Sequence, residues 1–387
     1  MSDVILPGAT LGVMGGGQLG RMFVHAAQRL GYFTAVLDPD EHSPAGCVSH
    51  HHVRTGYTDA QGLAELARLS AAITTEFENV PADALRTLAQ HRPVAPGGDA
   101  VAVAQDRAAE KAHFVRCGVP VAPHAVIETP EQLAAVGNAL VPGILKTARM
   151  GYDGKGQVRA KSRDELAAAW DALQRVPCVL EALLPLDVEI SVVVARGRDG
   201  AVVHLPVQRN LHRDGILAVT EVHDGTVPEA LARQAVAAAT AVAEGLHYVG
   251  VLCVEFFALK NGQLVVNEIA PRPHNSGHYS IDACDVCQFQ LQVRTMTGLP
   301  LVAPRQHSPA VMLNLMGDLW FAADSDAQRE PAWAKVLALP GAHLHLYGKT
   351  EARRARKMGH LTFTGSDARA VKGAALQAAA LLGIAAW

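Results

Sequence analysis

The residues best suited to chemistry are two carboxylates. Glu255 lies in the run Val249–Leu259 and Glu268 in Gln263–Ile269, and between the runs stands Asn261-Gly262, a strong hairpin signal. If Asn261-Gly262 is a two-residue turn, Lys260 faces Gln263, and stepping back along both strands brings Glu255 opposite Glu268. Like charges directly opposed are destabilising unless a cation lies between them. Two carboxylates, together with phosphates and water, suit Mg²⁺. Asn267 is placed to serve as a neutral ligand or hydrogen-bond partner. The other arrangement, a longer turn with both glutamates solvated, conflicts with the apolar neighbours of Glu255, where an unpaired charge is expensive.

Two glycine-rich segments could meet phosphate. Arg149-Met150-Gly151-Tyr152-Asp153-Gly154-Lys155-Gly156-Gln157 joins two strand-like runs, and Lys155 is not followed by Ser or Thr, so it is no Walker motif. Such a hairpin can fold over phosphates and offer amide donors while Lys146 supplies a point charge, or it can be a plain surface hairpin. Gly15–Gly20 fits G-x-G-x-x-G between an apolar run and a helical pattern, with Asp38 at the end of the next strand. Three uses stay open for it: a dinucleotide, another anion at the helix N-terminus, or a tight turn alone.

Pro271–His278 (PRPHNSGH) is a polar loop fixed by two prolines. Arg353, Arg354, Arg356 and Lys357 form a short basic run that is either a solvated face or a phosphomonoester site. His50-His51-His52 alternate faces on a strand, which disfavours a shared ion. The six cysteines are too few for a disulfide scaffold, and Cys284–Cys287 lacks a second pair to complete a zinc site.

These groups need a framework, and the chain has material for one. At 387 residues with 49% hydrophobic content it predicts two or three domains. With 34 basic and 37 acidic residues it has no excess to track a polyphosphate backbone, so a nucleic-acid partner is not expected. The N-terminus lacks the basic start of a secretory signal, and the apolar tail Ala374–Trp387 is too short to span a bilayer. A cytoplasmic protein with no membrane partner is the expectation.

Strands at Thr10–Met14, Phe33–Leu37 and Ala71–Thr75 alternate with helical patterns, which predicts a parallel α/β sheet over 1–98. A second domain is expected over 99–300: a single helix from Asp99 to Arg116, then from Val119 mainly strands, interrupted by one long helix at Pro228–Leu246. Short strands at Val311–Leu315, His343–Tyr347 and Leu361–Thr364 with a terminal helix predict a small third lobe over 301–387.

A phosphate-folding glycine hairpin, paired glutamates and a preceding α/β domain resemble the ATP-grasp superfamily. Gly15–Met22, Glu76–Val80, Gly151–Gln157, Asn210–Ile216, Asn267–His278 and Arg356–His360 follow the order and spacing of its N5-carboxyaminoimidazole ribonucleotide synthetase family. The resemblance implies an α/β and α+β architecture: an ATP-grasp fold with a Rossmann-like N-terminal preATP-grasp domain and a small C-terminal lobe. It implies ATP and bicarbonate as substrates with 5-aminoimidazole ribonucleotide, a carboxyphosphate intermediate, Mg²⁺ or Mn²⁺, and a homodimer in purine biosynthesis.

By motif, ATP falls to Arg107, Lys111, Lys146, Gly151, Tyr152, Asp153, Gly154, Lys155, Gly156 and Gln157, then to Glu181, Ala182, Leu183, Leu184, Glu189, His212, Asn267 and Glu268. The metal falls to Glu255 and Glu268. The ribonucleotide falls to Gln18, Leu19, Glu76, Glu78, Arg272, His274, Asn275, Ser276, Lys349, Arg353, Arg356 and Lys357. Asp153, Tyr152, Lys155 and Arg272 are the implied catalytic groups, with Asp153 or a neighbour accepting a proton. Two points depart from the simple pattern. Ala355 stands where the family often has glycine, beside the extra charge of Arg354, and strand alternation predicts that only one of Glu76 and Glu78 faces the site.

Overall fold

Parallel strands are buried on both faces and so need apolar residues at nearly every position. The computed structural model describes residues 4–151, 156–322 and 327–387. Thr10–Met14 (β1), Phe33–Leu37 (β2), His51–Val53 (β3) and Ala72–Thr75 (β4) pair in parallel in the order β3-β2-β1-β4. The helix Gln18–Arg29 connects β1 to β2 and turns Leu19, Met22, Phe23, Ala26 and Ala27 inward. Phe289, Val293 and Met296 of a distant helix, Gln288–Thr297, complete the same core. Gln292 on that helix donates from Nε2 to Thr74 Oγ1 at 3.0 Å.

The single helix expected over Asp99–Arg116 is two, Gly98–Ala104 and Arg107–Arg116. Asp106 causes the break: its side chain accepts the amides of Ala108 and Ala109 at 3.0 and 3.1 Å and starts a new helix. The Arg107 amide is turned outward to the Ala148 carbonyl, 2.9 Å away. The stretch after Val119, expected as strands with longer turns before the Pro228–Leu246 helix, also contains a helix. Arg163–Ala172 is a helix capped by Ser162, with Leu166, Ala169 and Trp170 buried. It lies in the core of a four-stranded antiparallel sheet, made of His124–Ile127 (β5), Gly143–Thr147 (β6), Gln157–Ala160 (β7) and Cys178–Ala182 (β8).

The third sheet is the largest. Leu186–Arg196 (β9), Val202–His204 (β10), Gln208–Arg213 (β11), Ile216–Val222 (β12), Gly250–Leu259 (β13) and Leu264–Ala270 (β14) form one part. Ala310–Met316 (β15), Ala342–Leu346 (β16) and Lys357–Thr364 (β17) extend it by pairing of β15 with β12. The order is β14-β13-β9-β11-β12-β15-β17-β16, with β10 on β9. Among the described residues no helix is long and apolar enough to cross a membrane.

The β13–β14 hairpin differs from the two-residue turn expected of it. The Gly262 amide bonds to the Leu259 carbonyl and the Leu259 amide to the Gln263 carbonyl, so the loop is Lys260-Asn261-Gly262, with Gly262 at φ +83°. That extra residue shifts the register by one. A β-bulge then shifts it back, since Phe256 pairs with Val266 while Glu255 pairs with Glu268. The carboxylates are opposed after all, with Asn267 as the extra residue.

Asp106→Ala is expected to lower stability by about 1 kcal/mol in urea unfolding, with Asp106→Asn retaining most of it because asparagine caps as well.

Candidate active site

The three sheets enclose a cavity of about 1260 Å³. Its first wall is the turn after β1 and the segment after β4. The amides of this glycine turn are already taken: Gly16 donates to Asp38 Oδ2 at 2.7 Å, and Gly17 and Gly20 donate to Glu76 at 2.8 and 3.1 Å. Tyr57 donates its hydroxyl to the same Asp38 oxygen at 2.7 Å. A pyrophosphate on these amides would meet two carboxylates, which removes the dinucleotide reading of Gly15–Gly20. Burial raises the Glu76 pKa, against the opposing pull of the Gly20 and Gly17 amides.

Strand alternation does not decide between Glu76 and Glu78, because β4 ends at Thr75. Both line the cavity. Glu78 is ion-paired with Arg272. Burial works to raise its carboxyl, but the guanidinium outweighs it and holds the pKa down to about 2.

The second wall is the small sheet. Glu181 on β8 lies between two lysines, 3.1 Å from Lys111 Nζ and 2.8 Å from Lys146 Nζ. Burial opposes its ionisation, yet Lys146 and then Lys111 bring its pKa down to about 2. Lys146 and Glu181 line the cavity along with Ala182, Leu183, Leu184, Gly151 and Gln157. Lys111 does not. It is fully buried behind Glu181, with Nζ also donating to the Asn267 carbonyl at 2.8 Å. Gly156 closes the β6–β7 hairpin, its carbonyl accepting the Thr147 amide at 2.8 Å. Tyr152, Asp153, Gly154 and Lys155 lie outside the described residues.

The large sheet forms the floor. Glu255 and Glu268 each use one oxygen in a pair with a cation: Glu255 with His274 Nε2 at 2.8 Å, and Glu268 with Arg107 at 2.8 Å. Burial opposes charge on both members of the first pair. Even so, the Cys253 sulfur and the Glu255 carboxylate hold the His274 pKa up, and His274 holds that of Glu255 down. Glu189 pairs with His212, which a bulge in β11 sets at the cavity. Asn267 Oδ1 is buried with no hydrogen-bond partner among the described residues. Asn267 is itself part of the cavity lining.

The remaining ribonucleotide candidates divide. Gln18, Leu19, Asn275, Lys349, Arg356 and Lys357 line the cavity, and Lys349 Nζ donates to Gln18 Oε1 at 2.7 Å. Ser276 does not. It is buried behind His274, its Oγ 2.9 Å from His274 Nδ1 and 2.8 Å from Ser191 Oγ. Arg353 also departs from the expectation: it points outward and pairs with Glu351 at 2.9 Å, while Arg354 lies over the Phe321 ring. Ala355, at φ +59°, turns the chain between them and Arg356.

Sequence reasoning missed Glu110. It lines the cavity and accepts the Ile269 amide at 2.7 Å, and burial pushes its carboxyl up to about 8 against Lys111 and Arg107. Its only signal was an acidic residue three positions after Arg107 on a helix otherwise facing the core.

A small antiparallel sheet that faces a carboxylate pair on a larger sheet across one cavity is the arrangement of an ATP-grasp enzyme. The ATP-grasp domain family matches residues 112–289, the ribonucleotide synthetase preATP-grasp domain 8–105, and the phosphoribosylaminoimidazole carboxylase C-terminal domain 310–374. An N5-carboxyaminoimidazole ribonucleotide synthase of Brucella melitensis is 45% identical over 363 residues, 92% of this chain and 96% of that protein. The ADP complex of an N5-carboxyaminoimidazole ribonucleotide synthetase superposes with a TM-score of 0.90 at 38% identity, covering 98% of both chains. The Aspergillus clavatus synthase, solved with ADP and 5-aminoimidazole ribonucleotide, gives 0.87 at 31% identity over 97% of this chain and 98% of that one. The chain belongs to the N5-carboxyaminoimidazole ribonucleotide synthase family and is an ATP-using ligase of purine biosynthesis.

Glu181→Gln leaves two buried ammonium groups without a counter-charge and is expected to cost ~3–5 kcal/mol at neutral pH in denaturant unfolding. The Glu181 pKa is depressed by folding, from 4.5 to about 2. Its stabilisation is therefore complete above pH 4.5 and lost as the pH falls through about 2, so the gap between parent and variant should close across that window.

Proposed function

We propose that this chain carboxylates the exocyclic amine of 5-aminoimidazole ribonucleotide, with MgATP at the Lys146 end of the cavity and the ribonucleotide at the Lys349–Lys357 end. The observation that carries this reading is continuity. One cavity is lined by Lys146, Glu255 and Glu268 and also by Gln18, Glu78, Lys349, Arg356 and Lys357. Two charged substrates can therefore meet within one site.

Glu255, Glu268 and the unpartnered Asn267 Oδ1 are hard oxygen donors that fit Mg²⁺, and they would hold it. When bound, the ion neutralises phosphate charge. Lys146 supplies a further positive charge toward the γ-phosphoryl group, and Arg107, paired with Glu268, stands beside it. An oxygen of bicarbonate attacks the γ-phosphorus and ADP leaves, giving carboxyphosphate. The amine then attacks the carboxyl carbon, phosphate departs and the amine loses a proton.

Arg272, fixed by Glu78, offers donors to the carboxyl oxygens, and His274, its two ring nitrogens held by Glu255 and Ser276, adds positive charge beside them. Asp153 is the proposed proton acceptor, and the Gly151–Gln157 hairpin the cover that keeps water from the acyl phosphate. Lys349, Arg356 and Lys357 are proposed to take the ribonucleotide phosphate. The working form is proposed to be a cytoplasmic homodimer.

The test is phosphate release from ATP, which should require both bicarbonate and the ribonucleotide. Release that persists without the ribonucleotide, or with formate in place of bicarbonate, overturns the reading. Glu268→Gln should lower kcat on the order of 10²-fold or more, with the fold intact by circular dichroism.

A further inference from the structure

A second group of ligating side chains lies outside the cavity lining, between the short helix Ser280–Ala283 and the last strands. His343 and His345 are two positions apart on β16 and so share one face. His360 on β17 is the direct cross-strand partner of His345. Asp282, on the helix, lies over this face with Oδ2 2.9 Å from His345 Nε2 and Oδ1 3.7 Å from His343 Nδ1. One donor atom from each of Asp282, His345 and His360 falls within 4.8 Å of the others.

His360 supplies the second observation. It is fully buried, its Nδ1 is 3.0 Å from the Tyr347 hydroxyl, and its Nε2 has no hydrogen-bond partner among the described residues. Burying such a nitrogen without a partner is costly. With the ring proton on Nδ1 directed to Tyr347, Nε2 presents a lone pair. His343 is fixed in the same manner, its Nε2 lying 2.9 Å from Thr364 Oγ1 while Nδ1 faces Asp282. Holding the second ring nitrogen on an oxygen is how metal-binding imidazoles are usually oriented.

We propose that Asp282, His345 and His360, with His343 beside Asp282, form a binding site for a divalent transition-metal ion of the Zn²⁺ class. Imidazole nitrogens with one carboxylate suit Zn²⁺ or Co²⁺, whereas Mg²⁺ takes oxygen donors. The side chains of His343 and His345 are 39% and 30% exposed, which gives an ion a path from solvent to the partly exposed Asp282 and the buried His360. Coordination at about 2.0–2.1 Å draws the donors closer than they now stand, and these two half-exposed rings supply that movement. The bound ion ties the helix that follows the Arg272–His278 loop to the strands that carry Lys349 and Lys357 to the cavity.

The experiment is a Co²⁺ titration of the metal-stripped full-length protein, read by visible absorption and competed with Zn²⁺. One equivalent should develop the spectrum of a low-coordinate nitrogen and oxygen site. His345→Ala and His343→Ala, both at partly exposed positions, should each weaken binding by at least about tenfold, while Glu268→Gln leaves the spectrum unchanged. Zn²⁺ should also raise the thermal unfolding midpoint of the parent but not of His345→Ala. Failure to develop an equimolar signal, or a signal that survives both histidine substitutions in folded protein, overturns the proposal.

Discussion

Two carboxylates opposed across a sheet repel unless something positive is brought to them, and the architecture is arranged around that need. Glu255 and Glu268 are fixed opposite one another by the β13–β14 ladder. The cations that hold them come from elsewhere: His274 from the loop after β14, and Arg107 from the first turn of a helix that Asp106 starts at that point. A charge problem in one hairpin thus dictates where a loop must run and a helix must begin. The same logic recurs at Glu181 with its two lysines and at Glu78 with Arg272. Each cavity wall carries an acid whose burial is tolerable only because a base from another segment reaches it.

Much of this was legible in the sequence, though not always for the right reason. The opposition of Glu255 and Glu268 followed from counting back from a two-residue turn. The turn has three residues, and a bulge at Asn267 restores the count. Hydrophobic alternation cannot reveal such paired shifts, because they leave both ends of the pattern in phase. The helix Arg163–Ala172 was missed although Ser162 and Glu165 stand at capping spacing before Leu166, Ala169 and Trp170. The break at Asp106 was hidden because an acidic residue inside an alanine-rich stretch reads as a solvated position rather than a cap.

Side-chain direction was the least legible property. Lys111, Ser276 and Arg353 are site residues by the resemblance, yet the first two lie behind the cavity wall and the third points to solvent. A motif fixes where the backbone passes. Whether a side chain faces the ligand or braces a neighbour that does depends on packing from other segments, as with Ser276 behind His274.

The helix Gln288–Thr297 has one more consequence. Its Phe289, Val293 and Met296 are as much the interior of the first sheet as Met22 and Phe23 are. The N-terminal α/β unit, which looks in outline like a detachable nucleotide-binding module, owns only part of its own core. Excised or grafted onto another ligase, it would expose an apolar face that its own sequence cannot cover. In this chain the unit is a neighbour rather than a cassette, complete only with the helix that seals it.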